Sequence, residues 1–171
     1  MSALPPSLTH TGEKLHGPFL ARIFKGELHE KIRPWMKAKM PVFNRNAKLL
    51  AKGLNASHGF AYEQETATST QQQETGNELI LQNGFACIVC HASGSKPALA
   101  PFGAPGPNLS LAGESLRHEY YLRWMLNPQR VEPTTHMTKF SSDHVKTAVE
   151  AFDGYAELQF NAIWDFIQTL K

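Results

Sequence analysis

Apolar side chains recur at helical spacing in several stretches of this chain, and polar or proline-rich segments separate them. In "GPFLARIFKGEL" (17–28), Leu20, Ile23 and Phe24 fall on one face and Pro18 suits a first turn, which predicts a short helix. "NAKLLAKGLNASHG" (46–59) predicts a second, with Asn46 as N-cap and Gly59 beyond its end. Thr75 and Glu78 form a capping-box pattern ahead of "LILQNGFACIVCH", and a helix running into that motif is expected. "EYYLRWML" (119–126) predicts a helix stopped by Asn127-Pro128. Ser142 is placed to cap a helix through Ala151 that breaks at Asp153-Gly154. The last helix shows a stripe of Leu158, Ala162, Ile163, Phe166, Ile167 and Leu170.

The connecting segments read as loops: 32–43, 92–112 with four prolines, and 131–140. Residues 61–75 are Gln/Thr-rich, without apolar periodicity, and read as a linker or exposed strap. Short helices joined by turns predict an all-α chain.

One passage repeats. "GEKL…FLARIF…IRPWMKAKMPVF" parallels "GESL…YLRWML…VEPTTHMTKF", matching Gly12 with Gly113, Arg22 with Arg123, Pro34 with Pro133, Met40 with Met137 and Phe43 with Phe140. Residues 12–59 thus read as the rear half of a module whose complete copy is 76–170. The expected organisation is an N-terminal helical extension (1–60), a polar linker (61–75) and a principal domain (76–171). Such a half-module either lies on the principal domain as a lid or belongs with a segment that completes it. In the second case an exposed apolar patch and self-association are expected.

Composition narrows the function. At 171 residues and 42% hydrophobic content, the chain suits one domain with an extension. A net charge of +2, without a Lys/Arg cluster interleaved with aromatics, argues against nucleic acid as a partner. There is no apolar run of membrane-spanning length. The start, "MSALPPSLTH", has no basic n-region and no apolar h-region, so a mature form or a fragment is expected if the chemistry requires export.

The chemistry concentrates in "FACIVCHASG" (85–94), which holds the chain's two cysteines, Cys87 and Cys90, followed at once by His91. A Cys-x-x-Cys spacing lets two sulfurs reach adjacent corners of a porphyrin from one helical turn, and a histidine next in line meets the iron. A thioredoxin-like motif would sit in a βαβ context and need no histidine. A structural zinc site would need a second ligand pair, and no further cysteine exists.

With these motifs, residues 76–170 resemble a class I c-type cytochrome: a helix, "CIVCH", a loop with "GPNL" (106–109), short helices, a methionine loop and an apolar last helix. More narrowly, "GPNLSLAGESLRHEYYLRWMLNPQRVEPTTHMTKF" is similar to the monohaem modules attached to large exported proteins of planctomycete-type bacteria. The resemblance implies a class I cytochrome c fold around one covalent haem c, with Cys87 and Cys90 as attachment points and His91 as proximal iron ligand. It implies that the Pro107 carbonyl accepts the other ring N–H of His91, and that Gly84 and Phe85 meet Phe160 and Trp164 where the first and last helices cross.

By family position the distal ligand is Met137, a soft thioether; Thr138 stands where the family has proline. Met40, in the more orthodox "KMPVF", and His136 next door are the alternatives, with His144 behind them. Met125 and Met36 read as core filler. The remaining histidines, 10, 16, 29, 58 and 118, are expected at the surface.

The function implied is one-electron transfer rather than enzymatic turnover, with a redox partner protein docking transiently at an exposed ring edge. The alternative is a gas sensor or peroxidase-like enzyme with an open distal position, and a further one is an interaction module holding a Cys-x-x-Cys disulfide. The family location is the periplasm. A homodimer or a larger parent polypeptide is compatible with the polar strap.

Overall fold

The structure is a computed structural model and describes residues 8–28, 40–63, 72–100 and 105–170. Among these residues the regular structure is helical, with isolated bridges in place of any sheet. The all-α expectation holds. No helix among them is long and apolar enough to cross a membrane.

The chain forms two compact units. One comprises residues 1–66 with 114–117, the other 67–113 with 118–171. The polar segment expected as a linker therefore divides between them, and four residues of the later sequence belong to the earlier unit. His29, Pro34, Trp35 and Met36 lie outside the described residues, as does most of 61–75.

The first unit contains α1 (Thr11–Lys14), α2 (Gly17–Lys25) and α3 (Ala47–Ser57). Pro18 occupies the first turn of α2, and Gly26, at φ 71°, closes it in a left-handed turn that a side chain would strain. Leu20, Phe24, Ala47 and Ala51 form the core, with Ile23 packed against them. α3 keeps the expected limits, although Asn46 makes no side-chain capping bond.

Buried Asn55 donates to the carbonyls of Gly12 (2.7 Å) and Leu15 (3.0 Å), which fixes α1 against α3. Leu15 pairs antiparallel with Leu116, its own sequence counterpart. The bonds are reciprocal: His16 N–H to Ser115 O at 3.0 Å and Arg117 N–H to Lys14 O at 2.9 Å. Arg22 pairs with Glu114. Arg117 is buried, its guanidinium 4.8 Å from the Phe60 ring and bonded to the Ala61 carbonyl. His16 is buried rather than at the surface, because its backbone belongs to this pairing.

The second unit contains α4 (Gln73–Ile80), α5 (Cys87–Cys90), all but the last two residues of α6 (Leu109–Ser115), α7 (His118–Leu126), α8 (Pro128–Val131) and α9 (Ala156–Ile167). Phe160, Ala162, Ile163 and Ile167 are buried on α9. Each large one contributes roughly 1.5–3 kcal/mol by leaving water. Leu158, expected on the same stripe, is 46% exposed; the next residue, buried Gln159, occupies the inward face instead.

Gln159 explains why the helix expected from Ser142 does not form. Its amide donates to the carbonyls of Val149 and Ala151, both at 2.7 Å, and its oxygen accepts from Thr147 Oγ1 at 2.6 Å. Asp143 accepts from the N–H groups of Val145 and Lys146. Side chains thus take the backbone groups a helix would use. Asn127 does cap α8, accepting from Arg130 N–H.

α4 crosses α9 backbone to backbone. A Cβ at Gly76 would overlap the Ala162 carbonyl and touch Phe166. The crossing glycine is therefore Gly76, not Gly84, whose role is a tight turn: a Cβ there would overlap the Leu79 carbonyl. Thr75 lies inside α4, whose first residue is Gln73, so the capping box does not form. Phe85 does meet Phe160, ring centroids 5.6 Å apart, but Trp164 packs on Tyr121 (4.8 Å) and His118 (5.2 Å) instead. His118 is half-buried by that contact and bonds Asn161 at 2.7 Å. Met125 is core, as expected.

Two glycines give a contrast. Gly76→Val should lower unfolding stability by roughly 3 kcal/mol, since backbone must move to admit the side chain. Gly53→Ala meets open space in α3 and should raise it by about 0.5–1 kcal/mol. Denaturant midpoints of the two variants check both signs.

Candidate functional site

The Cys-x-x-Cys-His stretch does not end the preceding helix. α4 stops at Ile80, and a turn held by Phe85 N–H to Leu79 O (2.7 Å) and Ala86 N–H to Leu81 O (2.9 Å) intervenes. Ala86 enters the left-handed region at φ 54°, and the chain then makes a single helical turn, α5. Residues three apart on such a turn share a face, so both thiols project on one side. No disulfide joins them; Cys87 is half-buried and Cys90 exposed. Burial pushes the Cys87 thiol up to about 12, with the neighbouring Cys90 adding to the shift.

His91 follows α5 in extended conformation, φ −113° and ψ 136°. Its Nδ1 lies 2.7 Å from the Pro107 carbonyl oxygen. A carbonyl only accepts, so the ring proton is on Nδ1 and the lone pair is on Nε2. Burial pulls the imidazole below its ordinary value, partly opposed by the Pro107 carbonyl, and so favours the neutral ring that can act as a ligand.

The loop after His91 is built to hold that bond. Gly106 N–H donates to Cys90 O at 2.8 Å, and a Cβ at Gly106 would overlap the His91 ring. Asn108 accepts from Gly94 N–H (3.0 Å) and Ser110 N–H (3.1 Å) and donates back to the Gly94 carbonyl (2.9 Å). Leu99 and Ala100 bond the carbonyls of Ile88 and Val89 in α5. The "GPNL" sequence thus serves three purposes in consecutive residues: close approach, carbonyl acceptor, loop staple.

Met137 belongs to the same unit as His91. Its sulfur accepts a hydrogen bond from the Trp124 indole N–H at 2.8 Å, and its carbonyl accepts from Gln129 at 2.8 Å. Sequence reasoning missed Trp124. The available signal was its position in α7, one helical turn before the Asn127-Pro128 stop that opens the methionine loop. His136 and His144 are exposed. Met40 lies in the first unit and is 44% exposed.

Two thiols on one face and a neutral imidazole with Nε2 available form a donor set that fits a covalently held porphyrin iron. Among the described residues no cluster of three or more His, Cys, Asp and Glu side chains is disposed to hold a bare metal ion. No protein-family model, no curated protein and no solved structure matches the chain.

The two thiols should differ in the bare polypeptide. Near neutral pH, iodoacetamide should modify exposed Cys90 before Cys87, and unfolding should remove the difference, as peptide mass mapping over time would record.

Proposed function

We propose that this chain is a monohaem electron carrier: a class I c-type cytochrome domain in the second unit, with haem c bound through thioethers to Cys87 and Cys90. The observation that carries the reading is the Nδ1–H bond from His91 to the Pro107 carbonyl, directly after the paired thiols. It directs Nε2 outward as the proximal ligand and raises the ring's basicity. The order of elements supports the same reading: α4, the cysteine turn, a stapled proline loop, α7, a methionine segment, and α9 crossing α4.

Haem, when bound, supplies an iron that alternates between ferrous and ferric states. The protein's residues do the rest. Cys87 and Cys90 would hold the ring through thioethers, and His91 and Met137 would supply the nitrogen and sulfur that hold its iron. Trp124 is a positioning residue: its indole N–H occupies one lone pair of the Met137 sulfur and leaves the other available for a metal. A sulfur so held favours electron transfer over the open-position sensor or peroxidase alternative. Thioether attachment places the mature chain in the periplasm, with a redox partner protein as its counterpart.

Material made in the periplasm with a cytochrome maturation system should keep one haem per chain through denaturation, by intact mass. Bare polypeptide from that host would overturn the proposal. Cys87→Ala with Cys90→Ala should abolish attachment. Met137→Ala should keep the haem yet lose the sulfur-to-iron charge-transfer band.

Trp124→Phe should retain the band and lower the reduction potential. A hydrogen bond worth about 1 kcal/mol corresponds to roughly 40 mV for one electron. The sign follows because the donor withdraws electron density from the sulfur and so favours the ferrous state.

A further inference from the structure

The internal repeat has a counterpart in packing, and the two copies differ in one respect. In each unit a glycine of the short leading helix abuts a carbonyl of the last: a Cβ at Gly12 would overlap Leu54 O, and one at Gly113 would crowd Ile167 O. This registers α3 on α9. Counting back from Leu54 and Ile167, Leu49 corresponds to Ala162, Leu50 to Ile163 and Gly53 to Phe166.

In the second unit those α9 positions are the floor on which α4 lies, with Gly76 against Ala162 and Phe166. Phe85, beyond α4, caps the crossing by packing on Phe140 at 4.9 Å. In the first unit the corresponding positions are open. Leu49 is 69% exposed and Leu50 39%, and no heavy atom lies within 4 Å of a Cβ placed on Gly53. Phe43, the counterpart of Phe140, meets Phe24 edge-on at 6.2 Å and is still 41% exposed. The described residues of this unit include no counterpart of α4 or of Phe85. An apolar face of this kind, with a glycine at its centre, matches a helix-crossing site in residue type and in register.

We infer that the face formed by Leu49, Leu50 and Gly53 of α3 docks a short helix of the α4 kind carried by a partner polypeptide. Its chemistry follows from the copy that is complete. The partner helix has a small residue at the crossing, acidic flanks, and an aromatic residue nine positions after the small one, as Phe85 follows Gly76. Charge agrees: α3 carries Lys48 and Lys52 and no acid, whereas α4 carries Glu74 and Glu78 and no base. The inference rests on the repeat and its packing and does not depend on haem.

The test uses the full chain and, as probe, a fluorescent synthetic peptide with the sequence of residues 72–86. Saturable binding by fluorescence anisotropy is expected. Leu49→Asp with Leu50→Asp should weaken it by about tenfold or more, and the peptide carrying Gly76→Val should not bind. These leucines are exposed, and circular dichroism will confirm that the variant remains folded.

Absence of saturable binding overturns the inference. So does binding that the Leu49→Asp and Leu50→Asp changes leave intact, since the peptide would then be replacing α4 on α9. A dimer in sedimentation that the same changes dissociate also overturns it, because the face would then belong to a second copy.

Discussion

Two helices that touch through their backbones have little freedom to slide, and the α4–α9 crossing sets the geometry of the second unit in this way. With Gly76 against the Ala162 carbonyl, α4 can neither rotate nor shift without a clash. The end of α4 is thereby fixed, and with it the turn at 81–86, the single helical turn of Cys87–Cys90 and the start of the His91 loop. Phe85 extends the same contact, lying against both Phe160 and Phe140 and so tying the segment after the methionine to the crossing. Among the described residues the first unit has the equivalent long helix without this lock, and Leu49 and Leu50 are exposed where the second unit's counterparts are covered.

Buried amides hold what the crossing does not. Gln159 gathers three groups from residues 147–151, and Asn55 gathers two carbonyls at the α1–α3 contact. In each case a side chain satisfies backbone groups that would otherwise be stranded in an apolar interior. These bonds let loops pack against helices closely enough to bury the inward faces of α9 and α3 with little regular structure around them. The Asn108 staple does the same for the proline loop, and it lies next to the carbonyl that accepts the His91 Nδ1–H hydrogen bond.

Most helices were legible in the sequence because their signals are local. Pro18 and Gly26 bracket α2, Asn127-Pro128 ends α7, and the spacing of Ala162, Ile163 and Ile167 marks α9. The paired cysteines and adjacent histidine were legible for the same reason. What sequence reading missed depends on distant partners. Ser142 looks like a cap until Gln159 and Asp143 compete for the same backbone groups. Gly84 and Gly76 are alike in sequence, and the approach of α9 alone separates the turn glycine from the crossing glycine. Leu158 fits the stripe by period, but Gln159 has the inward position because its partners lie on that side. Trp124 carried no motif, since a single indole gains meaning from the sulfur it faces.

That indole has a consequence of its own. An imidazole in the same place would ionise or change tautomer near neutral pH, and the sulfur would feel it. An indole N–H does neither, and it has no acceptor lone pair with which to reverse its role. The contact at Met137 is therefore electrically constant: whatever the acidity of the surroundings, the thioether meets the same dipole, and any drift in its chemistry with acidity must originate elsewhere in the protein.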